Sequence, residues 1–200
     1  NVSNVQMFDA IMRSAQSKQI PKLREIIDFF NVIFRTAQLE SECIIIALIY
    51  CERLVQETHG HFFIRYDNWR SVLLICLIMA SKIWDDLSMS NEDFSQIFPK
   101  IQEYNLKKIN ELELILLNSL QFNMKVPAGQ YAKYYFILKS MINQLNITTS
   151  TYTNVTNHIL SKHQELAPLD LAQAKKLNLL VYQASDHFVN LLVAKSQNKK

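Results

Sequence analysis

A lone lysine stands just after the longest uncharged apolar stretch of this 200-residue chain. Nine uncharged residues, 72 to 80, precede Ser81 and Lys82, and a tryptophan and two aspartates occupy positions 84 to 86. An ammonium group in such surroundings needs water or a hydrogen-bond acceptor, because burying an unpaired charge is costly. Met79, Lys82 and Ile83 follow i, i+3, i+4 spacing, so a helix places them on one face. Spacing alone favours the simpler interpretation, in which Lys82 reaches solvent at a helix end.

A possible anionic counterpart lies further along the chain, in a segment with helical apolar spacing. Glu113 would be the negative charge, and three apolar residues of this region could form a patch around it: Leu117, Phe122 and Met124. A cation and an anion, each flanked by apolar groups, can hydrogen-bond the backbone groups of a partner, including the free ends of its helices. The simpler alternative is a surface ion pair of Glu113 with Lys107 or Lys108.

Two other sets of polar residues only loosely resemble metal sites. One consists of the carboxylates Asp85, Asp86 and Asp93, whose spacing does not suit the paired aspartates that hold magnesium diphosphate in all-helical enzymes. The other consists of Glu57, His59 and His61, which would make a weak site. Trp84 is better interpreted as a packing residue than as a ligand platform. No catalytic triad or phosphate-binding loop is evident, so the sequence predicts no catalytic, cofactor or metal site.

Composition limits the classes of partner. The chain is 49% apolar and 20% charged, which is typical of a globular protein. A net charge of +3, without a basic run that interleaves with aromatic residues, gives no reason to expect a nucleic-acid partner.

Cys43, Cys51 and Cys76 lie in apolar segments without CxxC spacing, which indicates reduced core thiols of an intracellular protein. No apolar run approaches the ~20 residues of a membrane span. Because the chain begins at Asn1, we expect a missing N-terminal part that could carry a lipid anchor.

Helical periodicity dominates, and only 2 Gly and 4 Pro interrupt it. The predicted helices span residues 22–35, 39–55, 68–83, a short piece between Ser90 and Pro99, 105–120, a segment opened by Pro127, and 169–194. Ser90 and Asp93 would form a capping box for the short piece. The third helix is apolar on all sides, which predicts a central position. The Asn/Thr-rich segment 143–158 is predicted to be a loop.

The resulting fold class is all-α, with five helices around a buried third helix and an incomplete C-terminal set. We divide the chain into an N-terminal lead-in (1–21), a five-helix domain (22–125) and a C-terminal helical extension packed on it (126–200). The 75 residues after Lys125 are too few for five further helices with their connections. Two or three helices are expected there.

Four segments, at 37–54, 68–86, 110–127 and 131–141, resemble the cyclin fold and, within it, the cyclin Y family. The Ala-Ser-Lys and Asn-Glu-Leu-Glu elements occur in many cyclins, and the five-helix domain would then be a cyclin box. Two strings point more narrowly to cyclin Y: Ser-Lys-x-Trp-Asp-Asp at 81–86 and Tyr-Ala-Lys-Tyr-Tyr-Phe at 131–136. The likeness covers roughly residues 30 to 141.

The resemblance implies a regulatory subunit that binds and activates a cyclin-dependent protein kinase, of the PCTAIRE class, by docking on the kinase αC helix. Lys82 and Glu113 stand where cyclins face the kinase. Their expected apolar surroundings are Met79, Ile83, Leu117, Phe122 and Met124. Such a subunit has no active site of its own and needs no cofactor. The alternative is a cyclin-fold adaptor that recruits proteins without activating a kinase. The expected location is cytoplasmic, at the plasma membrane if the full-length protein is lipidated.

Two family features are absent or altered. Residues 23–27 are a poor copy of the Met-Arg-Ala-Ile-Leu patch by which mitotic cyclins dock substrates, so we expect no such docking. Glu52 and Arg53 stand where many cyclins have Asp-Arg. Glu52 would pair with Arg24 or Lys22 on the first helix, or would equally be an ordinary surface residue.

Overall fold

Six α-helices follow one another in the part of the chain that the structure, a computed structural model, describes: residues 11–13, 19–58, 62–97, 104–146 and 187. No strand occurs among these residues. The helices are α1 (Leu23–Thr36), α2 (Ser41–Glu57), α3 (Trp69–Trp84), α4 (Asn91–Gln96), α5 (Leu106–Ser119) and α6 (Ala128–Asn146).

The all-α prediction is confirmed, and the bounds predicted for α1, α2, α3 and α5 agree with the structure within two residues. The prediction of a loop from residue 143 is wrong for residues 143–146, which form the last turn of α6. Asparagine and glutamine cost well under 1 kcal/mol each in a helix interior, so neither residue type ends a helix by itself. The remainder of that predicted loop, and the helix predicted at 169–194 apart from position 187, lie outside the described residues.

The centre of the domain is a pair of helices, α2 and α3, packed against each other. Every residue of α3 from Ser71 to Ser81 is buried, which confirms the central position predicted for the third helix. All nine residues from Cys43 to Cys51 in α2 are buried as well. Around this pair, α5 packs on α3 and α2, α4 packs on α5, and α6 packs on α2. The end of α3 and the middle of α5 are thereby brought together.

Segments on both sides of the predicted 22–125 domain contact it. Met12 is fully buried in the core, and the ammonium of Lys108 donates to the carbonyl of Ile11. At the other end, α6 packs on α2, and the ring of His187 meets Tyr134 of α6 edge-on, with 6.3 Å between the ring centroids. Apart from the contact of α6 with α2, the predicted packing of the C-terminal extension on the five-helix domain stays a prediction.

The capping box predicted at the start of α4 is confirmed. The Asp93 N–H donates to Ser90 Oγ at 3.2 Å, and the Ser90 N–H donates to Asp93 Oδ2 at 3.1 Å. Reciprocal bonds of this kind satisfy backbone donors that have no partner inside a helix. The Ser90 hydroxyl also donates to Asp93 Oδ2, at 2.6 Å.

These bonds lower the pKa of Asp93, which an NMR titration can measure. The hydroxyl of Ser90 and then its backbone N–H hold the pKa of Asp93 below its ordinary value, because both donate to the ionised carboxylate. Because this pKa is lower in the folded than in the unfolded protein, the ionised Asp93 carboxylate stabilises the fold at a pH above its unfolded-state pKa. That stabilisation is lost as the pH falls through the folded-state pKa. We expect Ser90→Ala to raise the pKa of Asp93 in an NMR titration. Ser95→Ala, which removes a hydroxyl bonded to the Glu92 carbonyl, is the control and should leave it unchanged. An unaltered Asp93 titration in Ser90→Ala would contradict the interpretation.

Candidate functional site

Lys82 and Glu113 form an ion pair between the last turn of α3 and the middle of α5. Lys82 Nζ lies 2.8 Å from Glu113 Oε1 and 2.9 Å from Glu113 Oε2. The two side chains are 24% and 21% exposed, so the pair lies at the surface with most of its area covered. Lys82 thus does not extend alone into solvent, and Glu113 pairs with it instead of with Lys107 or Lys108.

The carboxylate of Glu113 has a third donor that the sequence did not predict. The side-chain amide of Asn91, the first residue of α4, donates to Glu113 and also to Asn110 Oδ1, the latter at 2.8 Å. An ammonium group has three N–H donors, and Glu113 engages two of those on Lys82. By this count the pair keeps one ammonium donor and one carboxylate lone pair, on Oε1, with which it can bind another molecule.

The five apolar residues predicted around this pair are divided between the surface and the core. Ile83 is 52% exposed and Phe122 is 63% exposed, whereas Leu117 is half-buried. Met79 and Met124 are only 4% and 7% exposed. Met79 is enclosed because α3 is buried through Ser81. These two methionines can support the site from beneath but present almost no area to a partner.

Phe122 lies in the turn that follows α5. Its backbone N–H donates to the carbonyl of Leu117 at 2.8 Å, which ties the turn to the α5 residue one turn beyond Glu113. We use the term charged-pair surface for Lys82, Glu113, Ile83, Leu117 and Phe122. It combines one ion pair with the exposed side chains of Ile83 and Phe122 and the half-buried Leu117, and this composition is suited to binding a protein rather than to catalysing a reaction.

Comparison with known protein families shows to which family the chain belongs. Residues 3–125, well over half of the chain, match the family model of the cyclin N-terminal domain. The chain belongs to the cyclin family. No solved structure gives a significant match to it. Membership indicates a cyclin-type regulator of kinases, since members of the family are regulatory proteins and not enzymes.

Trp84 of this cyclin is 45% exposed, and the packing predicted for it is confirmed only for the face of its ring that contacts Tyr131. Its indole N–H donates to Glu40 Oε2 at 2.7 Å, and its ring stacks on Tyr131 with centroids 6.1 Å apart and planes 4° apart. Beside it, a groove of about 440 Å³ runs between the α1–α2 and α3–α4 connections and includes Asp85 and Asp86. The pKa of Asp85 is raised, chiefly by burial, and the carboxylate accepts a bond from the Cys43 thiol at 3.6 Å.

Of the cyclin's other candidate sites, the carboxylate set of Asp85, Asp86 and Asp93 does not form a metal site, and the set of Glu57, His59 and His61 lies partly outside the described residues. Asp85 is engaged by Cys43 and Asp93 by Ser90, and no group of three or more His, Cys, Asp or Glu in the described ranges could hold a metal ion. His59 and His61 lie outside those ranges. Within them, no helix has the length and apolar character needed to cross a membrane.

The three cysteines are free and buried, as predicted for core thiols. Burial raises the pKa of the Cys43 and Cys76 thiols well above their ordinary value. A thiol with a raised pKa holds little thiolate at neutral pH, so these groups are poor nucleophiles and metal ligands.

The structure does not contain the ion pair considered for Glu52. Glu52 Oε1 accepts a bond from Gln56 at 2.9 Å, while Arg24 pairs with Asp28 within α1. Arg53 is the member of the Glu-Arg pair with long-range contacts, and it binds the chain between α5 and α6. The sequence singled out Glu52 and Arg53 but did not predict that Arg53 binds the α5–α6 connection. This contact depends on how α2 approaches a segment about 70 residues later in the chain.

Proposed function

We propose that this cyclin binds and activates a cyclin-dependent protein kinase of the PCTAIRE class by docking its charged-pair surface on the kinase αC helix. The observation that carries the proposal is the Lys82–Glu113 pair at the surface between α3 and α5, with Ile83 and Phe122 exposed. By resemblance, the positions of Lys82 and Glu113 are ones at which cyclins face their kinase.

The mechanism follows from the way such kinases are switched on. A kinase without its cyclin holds the αC helix displaced, so that the αC glutamate cannot reach the lysine that orients ATP. A partner shifts this equilibrium only if it binds the active arrangement more tightly. Lys82 and Glu113 could hydrogen-bond backbone groups at a helix end, where carbonyls or amides lack intrahelical partners. Ile83 and Phe122 would lose their exposure to water in the complex.

The narrower assignment to cyclin Y and the PCTAIRE class rests on two strings in contact with each other. Trp84, from the string at 81–86, stacks on Tyr131, from the string at 131–136. The two strings that set this sequence apart therefore contact each other through Trp84, the residue that follows Ile83 of the charged-pair surface. We also propose a cytoplasmic location, supported by the three unpaired core thiols.

A binding panel tests the proposal. The purified chain is passed over immobilised cyclin-dependent kinases of several classes, and bound kinase is measured for wild type, Glu113→Ala and the control Glu111→Ala. The control removes a carboxylate two residues away, outside the charged-pair surface. We expect retention by PCTAIRE-class kinases, loss with Glu113→Ala and no change with Glu111→Ala. Equal retention of all three variants would exclude the charged-pair surface as the docking site. If a kinase binds the wild-type chain but its phosphorylation activity does not rise, the adaptor alternative is favoured.

A further inference from the structure

The turn that carries Phe122 has an unusual backbone. Gln121 and Phe122 have φ values of 50° and 57°, in the left-handed region, and neither is glycine. Side chains with a Cβ rarely adopt this region, and such residues persist there only when surrounding contacts hold them. Backbone bonds supply part of the restraint: the N–H of Gln121 donates to Asn118 at 3.1 Å, and the N–H of Asn123 donates to Leu120 at 2.8 Å.

Side chains of α2 supply the rest of the restraint. The buried hydroxyl of Tyr50 donates to the carbonyl of Met124 at 2.7 Å. The guanidinium of Arg53 donates to the carbonyl of Asn123 and, at 3.3 Å, to that of Lys125. Three consecutive carbonyls directly after Phe122 are therefore fixed by two residues one helical turn apart on α2.

Arg53 also connects this segment to its surroundings on both sides. It donates to Gln130 Oε1 at 2.9 Å, at the start of α6, and its guanidinium lies 5.8 Å from the centre of the Tyr50 ring. Arginine suits this position because its planar group presents five donors in a fixed fork, whereas lysine offers a single point charge. Arg53 is half-buried, so these bonds are partly shielded from water.

We infer that Arg53 and Tyr50 are positioning residues for kinase binding, and that they act through Phe122. The inference rests on the proposed function of the charged-pair surface. By fixing the carbonyls at 123 to 125, the two side chains hold the strained turn in the conformation seen here, in which Phe122 is 63% exposed. A turn already ordered in the free cyclin spares the complex the entropic cost of ordering it on binding.

Hydrogen exchange of the free cyclin tests the restraint without any kinase. We expect Arg53→Ala to accelerate exchange of the amides of residues 121–124, because the turn loses two carbonyl anchors and its bond to Gln130. Amides in α3 should exchange as in wild type. Arg53→Lys should give exchange rates at 121–124 between those of wild type and Arg53→Ala. Tyr50→Phe should also accelerate exchange at these residues. Unchanged exchange there in Arg53→Ala would overturn the positioning role.

A double-mutant cycle tests the action through Phe122. We expect Arg53→Ala to weaken kinase binding about tenfold, ~1.4 kcal/mol, in the wild-type background. The loss should disappear in a Phe122→Ala background and persist in a Lys82→Ala background, because only the first removes the side chain that Arg53 positions. Equal losses in both backgrounds would overturn the inference. A wild-type chain that binds no cyclin-dependent kinase would overturn the proposed function and the binding role together, whereas the exchange result would still establish the restraint on the turn.

Discussion

Replacing Lys82 or Glu113 by alanine is expected to weaken kinase binding about 30-fold or more. Removing one charged hydrogen-bonding partner from a desolvated interface costs about 2–5 kcal/mol, partly because groups on the other side lose their partners. Each ~1.4 kcal/mol corresponds to a factor of ten in affinity. The loss should appear mainly as faster dissociation. Calorimetry and surface-binding kinetics with the purified kinase measure both quantities.

The free cyclin should remain folded in both variants. Lys82 and Glu113 pair with each other, but both side chains keep more than a fifth of their area exposed, so water and salt screen the attraction. Partly exposed pairs of this kind contribute about 1 kcal/mol or less to stability. Glu113 also retains its bond from Asn91 when Lys82 is removed. A thermal melt should show a small decrease in Tm, and Glu111→Ala should change neither Tm nor affinity.

Two results would contradict a role for Lys82 and Glu113 at the centre of the kinase interface. Unchanged affinity for both alanine variants, with unchanged Tm, would place Lys82 and Glu113 on an ordinary solvated surface. A loss below ~1 kcal/mol that disappears at high salt would indicate an ion pair at the rim of the interface instead of its centre.

The second large effect is expected in the core. Leu77→Ala should lower the free energy of unfolding by about 2–5 kcal/mol, because it removes a fully buried side chain from the middle of α3 and leaves a cavity. Leu87→Ala makes the same chemical change at a residue that is 95% exposed, just after α3, and should alter stability by no more than ~0.5 kcal/mol.

Urea denaturation of the two variants measures the difference. We expect a lower midpoint for Leu77→Ala with a similar slope, since the area exposed on unfolding hardly changes. The midpoint of Leu87→Ala should match that of wild type. Similar midpoints for both variants would mean that α3 does not lie at the centre of the core.

The helices were predictable because apolar residues recur with helical spacing and few glycines or prolines interrupt them. α3 was also predicted to be central, since nine consecutive uncharged residues leave no polar face. The equal burial of α2 was not predicted. α2 also carries nine consecutive uncharged residues, Cys43 to Cys51, and they are all buried, but the predicted fold placed only the third helix at the centre.

The residue types of the site were predictable, but their contacts were not. Lys82 and Glu113 were singled out by their apolar surroundings and by resemblance to cyclins. Their bond to each other depends on how closely α3 approaches α5, which no local pattern encodes. The burial of Met79 and Met124 has the same origin, because periodicity cannot separate an apolar interface residue from a core residue. Arg53 contacts residues about 70 positions away, so its role became visible only in the folded chain.

Activation of a PCTAIRE-class kinase by increasing concentrations of this cyclin tests the central claim most directly. The measured quantity is the rate of ATP-dependent phosphorylation of a peptide substrate. We predict a rate that rises to a plateau with wild-type cyclin, and a curve shifted at least 30-fold to higher concentration with Lys82→Ala. A plateau that stays low with Lys82→Ala would mean that Lys82 also holds the αC helix in place. A kinase that binds the wild-type cyclin to saturation and gains no activity would contradict the claim.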